Sequence, residues 1–572
     1  MAQKTGRFAI IEQLLADGMD YMFGNPGTVE QGFLDALREY PQMKYILTLQ
    51  ESVALLMGDG YARATKKPTL VQIHSTPGLG NTIGAMYQAL RGHAPLVIIG
   101  GDAGLKYVPM EAQMFGDLVG FAKPVTKWAT MVVDQASLLR TLRRAIKVAA
   151  TPPMGPVYVC LPADLLDLPC VEDVMPTFIP SARVAPDAEF LKQAAVLLAN
   201  AKKPMIFMGD GIAYSGAKAE LEHVAEMLGA EIWGVDAGEV NVSYAHPLYE
   251  GQTGHMFGVS SFPITSKGDV NLICGTYMVP EVFPKLDNIY APGAKVIHID
   301  LNAYHIAQNH HVDLGAVSDP KLTLAKLADV LTATLTAAQK EAAKARFNEL
   351  SKAKTEKIAA QKDADQKIRD DVPMHATRFM EELAAALPNP ADACIFDEAL
   401  TCSPELTRYL PPTTPGQFLQ TRGGSLGVGF PGAIALKLAY PEKTVFGFSG
   451  DGGSMYTIQA LWTAAHHKIG TKFVICNNQT YMLLKLNILQ YWRDQVKVEE
   501  RAFPDPFSLQ DPVIDFVKIA ESMGVPGVRA AKPEDVGPAI RQALQTDGPF
   551  LIDLMLTNTV PGSKVKNCKC GQ

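Results

Sequence analysis

The chain has 572 residues, with 52 Lys and Arg against 59 Asp and Glu, for a formal net charge of −7. Hydrophobic residues make up 47% and charged residues 19%, enough apolar material for large cores, which excludes a chain disordered throughout. The mild acidity excludes a nucleic-acid scaffold, because phosphate binding needs a concentrated basic face, and no apolar run reaches the ~20 residues of a membrane span. The opening stretch, MAQKTGRFAIIEQLLADGMDYMF, reads as an amphipathic helix running into a strand, without the apolar core and cleavage site of a signal peptide. Eight cysteines in so long a chain are no disulfide framework, so a reducing cytoplasm is the expected location.

In the first third, strand-like apolar runs at 20–23, 44–47, 69–74, 96–100 and 157–161 alternate with helical patterns such as 51–64 and 82–91. That rhythm implies a parallel sheet covered on both faces. A Pro-rich stretch at 169–186 marks a boundary. Further strands are expected at 204–208, 231–235, 270–275 and 295–300, followed by a charged helix over 337–367 read as a solvated connector. The last third adds strands at 393–397, 444–449, 472–476 and 550–554, and a Lys-rich tail. The expected architecture is α/β: three tandem doubly wound domains with mostly parallel sheets, at 1–182, 183–350 and 351–572.

The strongest motif lies at two strand ends. The apolar run 445–449 is followed by Gly450-Asp451-Gly452-Gly453-Ser454, and the run 473–476 by Asn477-Asn478-Gln479-Thr480-Tyr481. Ligands of open parallel sheets sit at the carboxyl ends of strands, and one βαβ unit can join these two ends. Asp451 offers a carboxylate oxygen, Asn478 an amide oxygen and the region of Thr480 a backbone carbonyl, a hard-oxygen set for magnesium holding a diphosphate. The glycines let a backbone approach phosphates. Gly58-Asp59-Gly60 and Gly209-Asp210-Gly211 lack an Asn-Asn pair at a second strand end and read as plain turns.

Gly-Asp-Gly followed about 25 residues later by Asn-Asn resembles the thiamine-diphosphate signature. FGNPGT (23–28), QESVALLMGDGYAR (50–63), IHSTPGLGN (73–81), GPVYVCLPAD (155–164) and ALWTAA (460–465) extend the resemblance to the decarboxylase and acetolactate-synthase superfamily, nearest in pattern to the benzoylformate decarboxylases. The resemblance implies thiamine diphosphate and Mg2+ as cofactors, with pyrimidine-binding, middle Rossmann-like and diphosphate-binding domains in chain order. It implies that Glu51 drives formation of the cofactor's ylid, that the Gly424 carbonyl accepts from its exocyclic amine, and that Leu426 wedges its two rings apart. Asn25, Pro26 and Gly27 would line the cofactor, together with Gly450, Gly452, Gly453, Ser454 and Tyr481. His74 would transfer protons in the pocket. Thr28 fits either a pocket hydroxyl or, with Gln31, a capping box, and the two are compatible.

The pattern departs from that family in places. Where a second pocket histidine is expected, counting lands on Val282, beside Glu281. Gln420, Arg422, Leu483 and Asn487 fall near substrate-flanking positions and point to a polar or anionic substrate. The implied activity is a lyase that decarboxylates a small 2-oxo acid to an aldehyde through the ylid and an enamine. Alternatives are an acetolactate-synthase-like carboligase using the same intermediate and a non-catalytic nucleotide-binding protein. A homodimer or homotetramer with sites at the subunit interface is the implied assembly, with no nucleic-acid or membrane partner. The pairs His310-His311 and His466-His467 lack the remaining ligands of a zinc site; Cys568 and Cys570 in the tail read as spare thiols, with metal or redox use as the lesser alternative.

Overall fold

The structure, a computed structural model, describes residues 4–563; Cys568, Cys570 and most of the Lys-rich tail lie outside the described residues. Three six-stranded sheets follow one another along the chain, and every strand pairing in them is parallel. The first sheet runs, edge to edge, Lys44–Leu47, Tyr21–Gly24, Thr69–Ile73, Leu96–Asp102, Val157–Pro162 and Trp128–Met131. The third runs Phe418–Gln420, Ala393–Glu398, Thr444–Gly450, Lys472–Asn477, Phe550–Met555 and Gly527–Ala530. Counted by appearance in the chain, the two share one order, 2-1-3-4-6-5. The middle sheet runs Leu314–Val317, Lys295–Asp300, Val270–Cys274, Pro204–Met208, Glu231–Gly234 and Tyr249–Gln252, a doubly wound order with its reversal between Pro204–Met208 and Val270–Cys274.

Central strands such as Thr69–Ile73 and Val157–Pro162 are buried at every residue, as a parallel sheet with helices on both faces requires. Five strands escape the sequence reading: Trp128–Met131, Tyr249–Gln252, Leu314–Val317, Phe418–Gln420 and Gly527–Ala530. All five are sheet edges. They are three or four residues long and most are only partly buried, so they carry no continuous apolar run.

The helix Ala337–Lys367 is present and begins with a capping box between Thr336 and Gln339. It is not solvated all round. Lys354 Nζ donates to the carbonyls of Tyr244, His246 and Tyr249 at 2.7–2.8 Å, and burial pushes its ammonium down to about 8. Asp365 accepts from Arg408 Nη1 at 2.6 Å. The connector is therefore strapped to the middle domain at one end and to the third at the other.

The first and third domains share a hydrophobic cluster, centred on the helices Glu51–Thr65 and Gly429–Ala439. These cross where Gly60 faces Gly432: a Cβ on Gly60 would lie 2.9 Å from the Gly432 Cα and 3.1 Å from the Ala435 Cβ. The Gly-Asp-Gly at 58–60 is therefore the interior of a packed helix and not a turn. Gly60→Leu should lower stability by about 1–3 kcal/mol through overpacking, read as a lower thermal midpoint, with the secondary structure by far-ultraviolet circular dichroism retained.

Candidate active site

The first sheet reverses its winding between Tyr21–Gly24 and Thr69–Ile73, so the loops leaving those strands flank one crevice. Asn25, Pro26, Gly27 and Thr28 follow the first strand, and His74 follows the second, heading the helix Ser75–Arg91. A Cβ on Gly27 would lie 1.9 Å from His74 Nδ1, so only glycine lets the imidazole rest against this loop. His74 Nδ1 sits 2.9 Å from Glu30 Oε2, and Glu30 Oε1 accepts from the Gly101 N–H at 2.9 Å. Burial raises the Glu30 carboxyl above its ordinary range, against the opposing pull of His74 and Gly101.

Glu51 opens its helix behind Gln50, whose Oε1 caps the N–H groups of Ser52 and Val53 at 2.6 and 3.2 Å. Asn81 Nδ2 donates to Glu51 Oε2 at 3.0 Å. A Cβ on Gly78 would meet Glu51 Oε1 at 3.0 Å and the His74 Cβ at 3.3 Å, so Glu51 and His74 share the crevice. Asn25 Nδ2 is spent on the Thr48 carbonyl at 2.9 Å, while Pro26 and Thr28 are exposed. The Thr28 capping box does not form, because the helix Gln31–Ala36 takes Glu30 as its N-cap with no side-chain bond. Glu30 and Asn81 were not singled out in the sequence. Asn81 ends the IHSTPGLGN motif, whereas Glu30 had no local signal.

The third sheet has its reversal between Ala393–Glu398 and Thr444–Gly450. Asp451 stands just beyond, and it is 5% exposed. Its Oδ1 accepts from the Gly452 N–H at 2.7 Å, and its Oδ2 is buried and has no hydrogen-bond partner among the described residues. Burial pushes the carboxyl up to about 6, against the lowering pull of the peptide N–H groups of Gly452, Gln479, Thr480 and Asn478. Gly450 pairs with Cys476 across the sheet, which brings Asp451 and Asn478 to adjacent strand ends. Asn478 Oδ1 accepts from the Thr480 N–H at 3.1 Å, around a Gln479 held at φ 56°. The Thr480 carbonyl accepts from the Met482 N–H at 2.8 Å, which leaves one lone pair.

Around this centre, the Tyr481 ring covers Gly452, where a Cβ would meet it at 2.4 Å, while Gly450 and Gly424 face open space. Ser454 Oγ is used within the turn, donating to the Asp451 carbonyl at 3.0 Å. Leu426 is half-buried in the loop that leads to helix Gly429–Ala439. Residue Glu398, missed in the sequence because an acid ending an apolar strand carries no motif, clasps this loop. Its Oε1 and Oε2 accept from the Gly427 and Gly429 N–H groups at 2.6 and 2.7 Å, and Ser449 Oγ lies 3.3 Å away. A Cβ on Gly453 would be 3.1 Å from Glu398 Oε1. Burial pushes the Glu398 carboxyl up to about 7, against those backbone donors. A strap at 505–509 braces the Asn478 loop from outside: Thr480 Oγ1 and the Tyr481 N–H donate to the Phe507 carbonyl at 2.6 and 2.9 Å.

Among the described residues no group of three or more His, Cys, Asp or Glu is placed to hold a metal. The oxygen set at Asp451, Asn478 and the Thr480 carbonyl is of a different kind, one carboxylate with neutral carbonyl oxygens, which suits a hard cation. An unpartnered buried carboxylate oxygen beside an open glycine cradle fits a metal-bound diphosphate. His466 stacks on Trp462 with ring centroids 4.5 Å apart, and His467 Nε2 accepts from the Leu47 N–H at 2.9 Å, so this pair is structural.

Two expected pocket residues lie elsewhere. Gln420 Nε2 donates to Asp397 Oδ2 at 3.0 Å and its carbonyl accepts from Arg63 Nη1 at 3.0 Å. Arg422 is buried in ion pairs with Asp236 and Asp210. The case for a polar substrate loses both. Leu483 and Asn487 lie half-buried on the helix Met482–Gln490, with Asn487 Nδ2 lacking a partner. Gln490 Nε2 donates to Ser260 Oγ at 2.9 Å, tying that helix to the middle domain. Val282 is 62% exposed, Glu281 is buried with Ser261 donating to it, and His298 is sealed in its sheet against the Thr276 carbonyl.

Comparison with known proteins defines the class. Family models for the N-terminal TPP-binding, central and C-terminal TPP-binding domains of thiamine pyrophosphate enzymes match residues 4–128, 191–327 and 400–554. The chain belongs to the thiamine-diphosphate-dependent enzymes. Among individual relatives, the "probable acetolactate synthase large subunit" of Methanococcus aeolicus is 28% identical over 98% of this chain and 95% of that protein. The benzoylformate decarboxylase of Pseudomonas aeruginosa is 28% identical over 96% of this chain and 98% of its own length. The 4-hydroxybenzoylformate decarboxylase of Rhodococcus jostii RHA1 superposes with a TM-score of 0.82 at 25% identity, covering 97% of this chain and 99% of that one.

The Glu398 environment gives a pH prediction for the cofactor-free protein. Its folded value, about 7, lies above the ordinary 4.5, so the folded state keeps a proton that the unfolded state releases. Stability from this group is full below pH ~4.5 and is lost as pH rises through about 7, by roughly 3 kcal/mol in all. Thermal midpoints measured from pH 4.5 to 8 should fall less steeply in Glu398→Gln than in the wild type.

Proposed function

We propose that the chain is a thiamine-diphosphate- and magnesium-dependent lyase that cleaves the bond beside the carbonyl of a 2-oxo acid, releasing carbon dioxide and an aldehyde. The observation that carries this reading is the buried, unpartnered Asp451 Oδ2 beside the open Gly450 cradle. Asp451, Asn478 and the Thr480 carbonyl would hold the metal, with Gly450, Gly452 and Gly453 admitting the diphosphate. Thiamine diphosphate, when bound, supplies the electron sink for the cleaved bond. Glu51, oriented by Asn81, presents a carboxyl that exchanges a proton with an aminopyrimidine nitrogen. His74, fixed at Nδ1 by Glu30, leaves Nε2 free to move a proton at the substrate carbon. Thr28 offers an exposed hydroxyl to the same crevice.

A carboligase is the second reading, and Val282 favours it. With an apolar, exposed side chain where a second imidazole was expected, one histidine alone serves protonation, and slower protonation leaves time for a second carbonyl to add. Carbon dioxide release from a panel of 2-oxo acids, with and without acceptor aldehydes, separates the two readings by whether aldehyde or condensed product accumulates.

Asp451→Ala should lose magnesium-dependent binding of thiamine diphosphate while keeping its fold, and unchanged affinity by calorimetric titration would remove the metal assignment. Glu51→Gln should bind cofactor and metal yet lose ~10²–10⁴ in turnover, the usual worth of a general acid–base group.

The proposed assembly is a homodimer or a dimer of such dimers. Among the described residues the Glu51 carboxylate is bonded by Asn81 and Asp451 by peptide N–H groups of the third domain, and the exposed apolar residues Leu49, Tyr87, Met455 and Tyr456 flank the two halves. Each active site would then combine the first domain of one copy with the third of another. Mixing Glu51→Gln with Asp451→Ala chains should restore part of the activity; no recovery in proven mixed dimers would place both halves in one chain.

A further inference from the structure

We infer that Arg422 is a positioning residue that anchors the proposed cofactor-facing loop, residues 421–429, to the middle domain. This rests on the cofactor reading above, because the loop carries Gly424 and Leu426. Arg422 joins all three domains. Its Nη1 and Nη2 reach Asp236 Oδ1 and Oδ2 at 2.7 and 3.1 Å, and its Nη1 also donates to the Asp236 carbonyl. Its Nε lies 3.4 Å from Asp210 Oδ2. Its own backbone N–H donates to Gln88 Oε1 of the first domain at 2.8 Å.

The acceptors are themselves rigid. Asp210 takes the Gly238 N–H at 3.0 Å and Asn241 Nδ2 at 2.9 Å. Asp236 stands at φ 48°, a left-handed conformation that aspartate adopts more readily than most side chains. Arg91 Nη2 adds a second guanidinium on Asp236 Oδ2 at 3.2 Å.

The loop needs such an anchor. Gly423 and Gly424 follow Arg422 at φ 62° and 74°, and glycines leave a backbone soft. Glu398 fixes the far end at Gly427 and Gly429. Between the ends the loop is held by few bonds, Ser425 N–H to the Arg422 carbonyl at 3.3 Å, Thr421 Oγ1 to the Ser425 carbonyl at 2.7 Å, and Ser425 Oγ on the Gly84 carbonyl at 3.3 Å. A planar guanidinium fork with two oxygens on one carboxylate sets direction as well as distance, which a lysine ammonium does not.

The test titrates thiamine diphosphate with Mg2+ into the full chain as wild type, Arg422→Lys and Asp236→Asn. Near-ultraviolet circular dichroism of the bound cofactor, its Kd, and kcat and KM on the best 2-oxo acid are read beside the cofactor-free thermal midpoint. Both variants should raise the Kd roughly tenfold or more, alter the bound-cofactor spectrum, and lower kcat on the order of 10²-fold with KM little changed, the scale of a small misplacement in a reacting site. Wild-type Kd, spectrum and kcat in the variants, with only the midpoint lowered, would overturn the inference and leave Arg422 a structural ion pair. If Arg422→Lys does not fold, Asp236→Asn decides, since Arg422 then keeps Asp210. A wild-type chain that binds no thiamine diphosphate would instead defeat the cofactor reading itself.

Discussion

The crossing of Gly60 over Gly432 sets the geometry from which the rest follows. Two helices without side chains at the contact approach closely enough for one hydrophobic cluster to run from the first sheet into the third. Glu51 begins one of these helices nine residues before Gly60, about 13 Å along its axis at 1.5 Å per residue. The other begins at Gly429, where Glu398 grips the loop. A slip at the crossing would therefore carry both functional helix starts with it, which is why overpacking there is expected to matter beyond its own few contacts.

Buried acids in this chain differ in whether an arginine stands beside them. Arg63 with Asp59, and Arg422 with Asp210 and Asp236, are paired acids and bases sealed between domains. At Asp210 burial alone would raise the carboxyl, but Arg422, Arg63, Asn241 and Gly238 prevail and hold it below its ordinary value. Asp451 and Glu398 have no cation beside them, and burial prevails, raising both. An unpaired buried carboxylate is costly; Glu398 offsets that cost with the Gly427 and Gly429 N–H groups, whereas Asp451 keeps one oxygen for the cation proposed above.

That distinction also explains what could be read from the sequence. Asp451 and Asn478 were legible because local grammar places them: an apolar run, a turn, a helix, and a second run ending in amides. The central strands were legible for the same reason, whereas the five unforeseen edge strands have too few buried residues to leave a pattern. For Arg422 the sequence left a pocket residue and an interface salt bridge both open, because its partner Asp236 is 186 residues away. Asp59 was misread as a turn residue, since it lies inside a helix; Asp210 does stand in the expected turn, but its pairing with arginines of other domains left no local sign. Glu30 and Glu398 were missed because their partners, the imidazole of His74 and the amides of Gly427 and Gly429, come from loops distant in the chain.

The first and third sheets repeat one strand order and place their crevices at the same reversal, yet they carry different chemistry. The third crevice presents oxygen donors that are almost wholly enclosed, Asp451, Asn478 and Thr480, which suits the metal-bound diphosphate proposed above. The first presents Glu51 and His74, only partly buried, which suits the proton exchange proposed for them. The middle sheet follows another order and supplies neither set. Its Asp210 and Asp236 reach into the third domain's loop while Arg91 and Gln88 of the first reach the same point. In this arrangement the Glu51–His74 set and the Asp451–Asn478 set are built on separate copies of one topology, and the junction of charges at Arg422 ties the three domains of one chain together.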